Sequence, residues 1–247
     1  MGKKVAFLFE TQSLPYSGSW SEYCVTYATR VFPLDDDADL TCSFILNPMT
    51  SVGLMSTAGD AKAVVIPAAN SDVGRCLHTL TSERGIEKIQ LVRKPADVKH
   101  LTSIGGKHVL NMKDEDYEAK YAEVCTKLKP TALFSCIGGK QTEKFLLQMP
   151  KGASHIAYGM LNGWAQLSEQ TKTDYKIVPF FMMNGWWNEH NGYVAEEGNV
   201  PKMNEYLKGG MKTEVGKIFN FEDIAEAMDS FKSKKIKRKL VISTKKL

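Results

Sequence analysis

Asn70, Ser71, Asp72, Val73 and Gly74 form a short polar turn between the apolar run AVVIP and the helix-patterned stretch VGRCLHTLTSER. That arrangement suits the holding of a phosphate. In such strand–turn–helix units the first N–H groups of the helix face the anion, and the helix dipole favours negative charge there. The dinucleotide fingerprint places glycines where the backbone must approach a pyrophosphate; here only Gly74 stands, at the position that permits close packing of helix on strand. Asp72 occupies a place where a small uncharged residue would be safest, and its carboxylate can itself cap the helix. Two phosphate charges about 4–6 Å from it would cost on the order of 1–4 kcal/mol, a roughly tenfold to thousandfold loss of affinity. Ser71 can donate to a phosphate or cap the helix, and capping is the simpler reading.

Other candidates lie after later strand-like runs. Arg93 closes KIQLVR, where an acidic residue would accept the ribose hydroxyls of NAD; an arginine followed by Lys94 suits the 2′-phosphate of NADP, or the two are ordinary surface cations. After TALFSC, ending at Cys136, Gly138 and Gly139 would let the backbone approach a cofactor or simply make a loop. The five cysteines and five histidines are scattered, without zinc-ligand spacing, so no metal site is expected.

The elements that must position these residues alternate along the chain. A buried run at the start of 61–85 and further runs at 88–93, 107–110, 131–136, 154–159 and 176–183 are separated by connections of which four are patterned as helices, 72–84, 95–104, 114–129 and 140–149. Tyr117, Tyr121, Val124 and Leu128 share one face of the third. Six strands so connected predict a doubly wound six-stranded parallel sheet, an α/β Rossmann fold. The flanks differ: 4–9 and 20–27 read as strands and 40–57 as a broken helix. Farther on, 201–207 and 221–231 read as helices, the second with Phe221, Ile224, Ala225, Met228 and Phe231 on its apolar face, and 215–220 and 239–243 as strands. The expected organisation is a nucleotide-binding domain at 61–198 and a small β domain built from 1–60 and 199–247, its strands from both chain ends joined.

Composition sets the outer limits. With 247 residues and 43% apolar content, the chain can bury a full core. No apolar run approaches the roughly 18 residues of a membrane span, the opening residues do not read as a signal peptide, and the odd cysteine count suits a reducing compartment. The net charge of +4 owes much to the lysines between Lys232 and Lys246, which read as solvated flanks of an edge strand rather than a nucleic-acid surface.

Ordered blocks along nearly the whole chain then carry a resemblance: GSWSEYCV (18–25), NPMT (47–50), AANSDVG (68–74), VRKPADV (92–98), GGKHVLN (105–111), CIGGK (136–140), AYGML (157–161) and KTEVGKIFNFEDIAEAM (212–228). Together they resemble the zinc-free medium-chain dehydrogenase/reductase family, of the quinone reductase and mitochondrial 2-enoyl thioester reductase type. The resemblance implies that Tyr158, Gly159 and Met160 face a nicotinamide, and that Phe181, Trp186 and Trp187 line a substrate pocket or form a subunit interface. It also implies that the flanks are the remnant of a GroES-like catalytic domain whose front, with its proton-donor tyrosine, is missing. Tyr16, Tyr23 and Tyr27 do not match that position, so no catalytic residue is assigned.

Three functions follow as expectations. The first is a degenerate NADPH-dependent reductase, a pseudoenzyme kept as a structural or regulatory subunit of a larger assembly or homodimer, with NADP binding weakened or lost through Asp72. The alternative is an active NADPH-dependent reductase of enoyl thioesters, enones or quinones working by hydride transfer. The third is a nucleic-acid-binding module using the basic tail. The family resemblance leans toward a mitochondrial rather than cytoplasmic setting.

Overall fold

A computed structural model describes residues 2–7, 18, 21–182, 198–233, 236 and 238–244. It divides into two compact units, one of 47–190 and one of 1–46 with 191–247. The first unit therefore takes in most of the helix α1 (Leu46–Thr57), which lies ahead of the expected domain start at 61.

The larger unit is built on one parallel six-stranded sheet in the order β5-β4-β3-β6-β7-β8. Its strands are β3 (Ala63–Pro67), β4 (Glu87–Val92), β5 (His108–Asn111), β6 (Ala132–Ser135), β7 (Ser154–Ala157) and β8 (Lys176–Pro179). Every residue of β3 and β6 is buried, as continuous apolar runs in a sheet covered on both faces require. The helices are α2 (Asp72–Glu83), α3 (Pro95–Ser103), α4 (Tyr117–Leu128), α5 (Gly139–Leu146) and α6 (Glu169–Asp174). The last makes all five connections helical, one more than the sequence pattern predicts. At six residues it is too short to show a periodicity, and it is started by the Ser168 side chain accepting the Thr171 N–H.

The core beside the sheet gathers Val65, Ile89, Leu91 and Leu133 with Tyr121 and Cys125 of α4 and Phe145 of α5. Tyr121 stacks on Tyr117 at 5.9 Å, meets Phe145 edge-on at 6.2 Å and donates its hydroxyl to the Phe145 carbonyl at 3.0 Å. Val124 and Leu128, on the same face of α4, are partly buried against this cluster.

In the smaller unit β1 (Val5–Phe7) pairs antiparallel with β2 (Val31–Pro33), not with the strand expected at 20–27. The described residues 21–27 form no strand; Tyr23 is 88% exposed, so this stretch has no buried face to set a sheet register. Asn204 of α7 (Asn199–Lys208) donates to the Pro33 carbonyl at 3.2 Å and accepts the Asp35 N–H at 3.2 Å. Lys208 bridges Asp35 and Asp37, both at 2.7 Å.

The strands β9 (Val215–Asn220) and β10 (Lys239–Ser243) pair in parallel with each other, across the helix α8 (Ile224–Lys232). They form a sheet of their own rather than joining the N-terminal strands, because a strand–helix–strand crossover returns the chain beside its own first strand. A 3₁₀ turn at Phe221–Asp223 precedes α8, which starts at Ile224. Ala227 is buried, whereas Ala225 and Phe231 of the expected apolar stripe are exposed.

Candidate functional site

Neighbouring strands β3 and β6 are the first and fourth of the large sheet, so the strand order reverses between them and leaves a crevice at their carboxyl ends. The residues singled out from the sequence fall on that edge: 70–74 follow β3, Arg93 and Lys94 follow β4, Cys136 to Gly139 follow β6, Tyr158 to Met160 follow β7, and Phe181 follows β8. Trp186 and Trp187 lie outside the described residues.

The turn after β3 is bent by Ala68, which holds a left-handed φ of 51°. Ser71 caps α2 by accepting the Gly74 N–H at 3.2 Å. Gly74 cannot carry a side chain without displacing backbone, since a Cβ there would lie 2.4 Å from the Ala69 carbonyl oxygen. This is the helix-on-strand contact that its place in the motif predicts. Asn70 donates to the Asp97 carboxylate in the first turn of α3 at 2.8 Å, while its own amide oxygen is buried without a hydrogen-bond partner. The Val73 N–H has no acceptor among the described residues.

Asp72 does not project as an unmatched charge. One carboxylate oxygen receives the Arg75 guanidinium at 2.6 Å and the other the Asn47 amide at 3.3 Å. The same guanidinium donates to the Asn70 carbonyl at 3.1 Å, which ties the pair to the turn. Asn47 is held in turn at the start of α1, where Ser51 donates to the Asn47 carbonyl at 2.9 Å and to that of Val73 at 3.4 Å. The carboxylate expected to weaken or abolish NADP binding is thus paired within the fold. Arg75 was legible as an acid–base pair three residues apart on one helix. Asn47 and Asp97 were not, lying 25 and 27 residues from their partners.

Arg93 and Lys94 are exposed, with no side-chain hydrogen bond or ion pair among the described residues. They are held near the turn by the Ala69 N–H donated to the Leu91 carbonyl at 3.1 Å and by the Asn70–Asp97 side-chain bond.

The glycine pair after β6 has a reason within the chain itself. Gly138 adopts φ 69° and ψ −158°, and a Cβ on it would lie 1.8 Å from the Gly163 carbonyl oxygen. The loop after β7 is laid on this turn by hydrogen bonds from Leu161 N to the Cys136 carbonyl (2.9 Å), Asn162 N to that of Ile137 (2.8 Å) and Gly139 N to that of Trp164 (3.0 Å). The close approach at Gly138 is thus made by the chain's own backbone.

Cys136 is buried, and burial raises its thiol above the ordinary range. The Tyr158 hydroxyl is buried against it, and burial, with the thiol beside it, pushes the phenol well above its usual range. Tyr158 therefore keeps its proton at neutral pH. Gly159 fits under Cys136, whose Cβ would be 3.0 Å from an added Cβ, and Met160 is exposed at 47%.

A cavity of about 230 Å³ lined by Ser82, Lys88 and Lys107 belongs to the amino edge of the sheet, at the starts of β4 and β5, and not to this crevice. Among the described residues no group of three or more His, Cys, Asp or Glu could hold a metal ion, and no helix is long and apolar enough to cross a membrane.

No family model matches the chain. It is 24% identical over 233 residues to the mitochondrial enoyl-[acyl-carrier-protein] reductase of Arabidopsis thaliana, covering 88% of this chain and 60% of that protein. The enzyme of the same name from Yarrowia lipolytica is 27% identical over 152 residues, 58% of this chain and 40% of that protein. The chain thus spans between two fifths and three fifths of these relatives' length. Among solved structures, a candidate NADPH:quinone reductase from Mesorhizobium loti superposes with a TM-score of 0.81 at 26% identity, over 98% of this chain and 70% of that one.

Proposed function

We propose an NADPH-dependent reductase function for this chain, which is a relative of the medium-chain dehydrogenase/reductases of the enoyl reductase and quinone reductase type. The observation that carries the proposal is the state of the turn after β3. With Asp72 matched by Arg75 and Asn47, the Val73 N–H at the start of α2 is left without an acceptor among the described residues. A nucleotide phosphate would engage such an N–H. Arg93 and Lys94 would hold a 2′-phosphate, and Tyr158, Gly159 and Met160 would border the nicotinamide end of the crevice.

When bound, NADPH supplies a hydride for an activated double bond, and enoyl thioesters, enones and quinones form the substrate class. The chain's own residues would orient the cofactor along the carboxyl edge of the sheet. No residue is assigned as proton donor. The flanking unit is read as part of a catalytic domain, and the relatives' names favour a mitochondrial setting.

A second reading, an assembly subunit or homodimer, is favoured by apolar side chains left in solvent at the same edge: Leu161 is 75%, Trp164 68% and Phe181 56% exposed. The degenerate-subunit reading loses its main support once Asp72 is paired, so the reductase reading stands ahead of it.

The test is a titration of the purified chain with NADPH and NADH, followed by intrinsic fluorescence and thermal shift. Micromolar NADPH binding, preferred over NADH and weakened about tenfold or more by Arg93→Ala, is expected from loss of one charge-assisted phosphate contact. Absence of binding to either nucleotide would overturn the reading and turn the search toward protein partners.

A further inference from the structure

We propose that Arg75, assisted by Asn47, is a built-in counter-ion that makes a carboxylate at position 72 compatible with an anionic ligand at the phosphate turn. The inference rests on the reading of this turn as a dinucleotide site and adds a positioning role to residues that make no contact with the ligand themselves.

Both oxygens of Asp72 are engaged, one by a cation and one by a neutral donor, so the carboxylate is held by two partners from different elements, α2 and α1. The guanidinium also donates to the Asn70 carbonyl, a second anchor besides the carboxylate. The pair is neither deeply buried nor fully solvated, with side-chain exposures of 22% and 27%; at that depth water screens the charges only in part. Removing Arg75 would leave a full negative charge at the helix start whose field favours anions. Removing Asp72 as well would leave the turn neutral. The two residues are thus coupled through charge toward a ligand that neither has to touch, and the coupling has a definite sign.

The experiment measures NADPH affinity by fluorescence titration, with melting temperature in parallel, for the wild-type chain, Arg75→Gln, Arg75→Lys, Asp72→Asn and the double variant Asp72→Asn/Arg75→Gln. Arg75→Gln is expected to weaken NADPH about tenfold to a hundredfold, the size of one uncompensated like charge roughly 6 Å away at intermediate dielectric. Arg75→Lys keeps the charge and should stay within about threefold of wild type, while the double variant recovers wild-type affinity to about the same margin. A merely structural role would not produce that rescue, since the double variant lacks every contact that Arg75→Gln lacks.

Equal affinity of wild type and Arg75→Gln would overturn the proposal. So would a double variant as weak as Arg75→Gln, which would mean that Arg75 contacts the ligand directly. If the wild type fails to bind but Asp72→Asn binds, the turn is a nucleotide site and the neutralisation is what fails. If no protein of the set binds either nucleotide, the dinucleotide reading falls and takes this one with it.

Discussion

Replacing Gly138 by alanine tests whether the glycine turn after β6 serves the chain's own packing or a ligand. The backbone there, at φ 69° and ψ −158°, lies in a region that only glycine occupies without strain, which costs an alanine about 1–3 kcal/mol. A second cost is steric. The new Cβ would stand 1.8 Å from the Gly163 carbonyl oxygen and 3.0 Å from its carbon, and these are backbone atoms that cannot swing aside as a side chain would. Overpacking of this kind costs about a further 1–3 kcal/mol, so the sum is about 2–6 kcal/mol.

Gly152→Ala supplies the control. Its φ is also positive, at 84°, yet nothing lies within 4 Å of the added Cβ, so it should lose only the conformational part, about 1–2 kcal/mol. Both variants would be followed by urea unfolding, and amide exchange would be read at Gly139, Leu161 and Asn162, whose N–H groups tie the loop after β7 to the turn. Faster exchange at those amides in Gly138→Ala alone is expected. Stabilities of the two variants within about 0.5 kcal/mol of each other would refute the steric argument. So would a Gly138→Ala protein as stable as wild type that had lost only its affinity for NADPH.

Two further outcomes follow from the packing of the larger unit. Gly74→Ala should destabilise the larger unit by about 1–3 kcal/mol and weaken NADPH, because the Cβ would meet the Ala69 backbone and push α2 off β3; an unchanged melting temperature would contradict it. His155 is 2% exposed on β7, and burial lowers its pKa from 6.5 to about 4. The unfolded chain therefore takes up the proton first as pH falls. The stability present above pH 6.5 declines between 6.5 and 4, by at most about 3 kcal/mol. Urea midpoints at pH 7 and 4.5 should converge in His155→Leu relative to wild type, and an equal acid loss in both proteins would show that another group is responsible.

The periodic signals survived best. The seven segments from β4 to β7 lie within a few residues of where alternation and apolar runs put them, because each is decided by burial of its own residues along one local period. The flanks were read less well for the same reason inverted. Residues 21–27 carry strand-forming types but bury no face, and the start of α8 depends on a 3₁₀ turn that no periodicity announces. At the site, Ser71 and Gly74 were readable from position alone. The setting of Asp72 was not readable, because a charge is costly or harmless according to neighbours that include Asn47, 25 residues away in sequence.

By itself, then, the sequence determined the alternation of strand and helix, the parallel sheet that follows from it, and the placing of the polar residues just after strand ends. These properties belong to each segment separately, through side-chain size, polarity and spacing. Only the tertiary structure decided what those residues do to one another. It brought Asn47 to Asp72, Asp97 to Asn70, and the Gly163 carbonyl onto Gly138. Electrostatic matching and steric contact act across a few ångströms of space, and the pairing of β3 with β4 and β6 sets those distances between segments far apart along the chain.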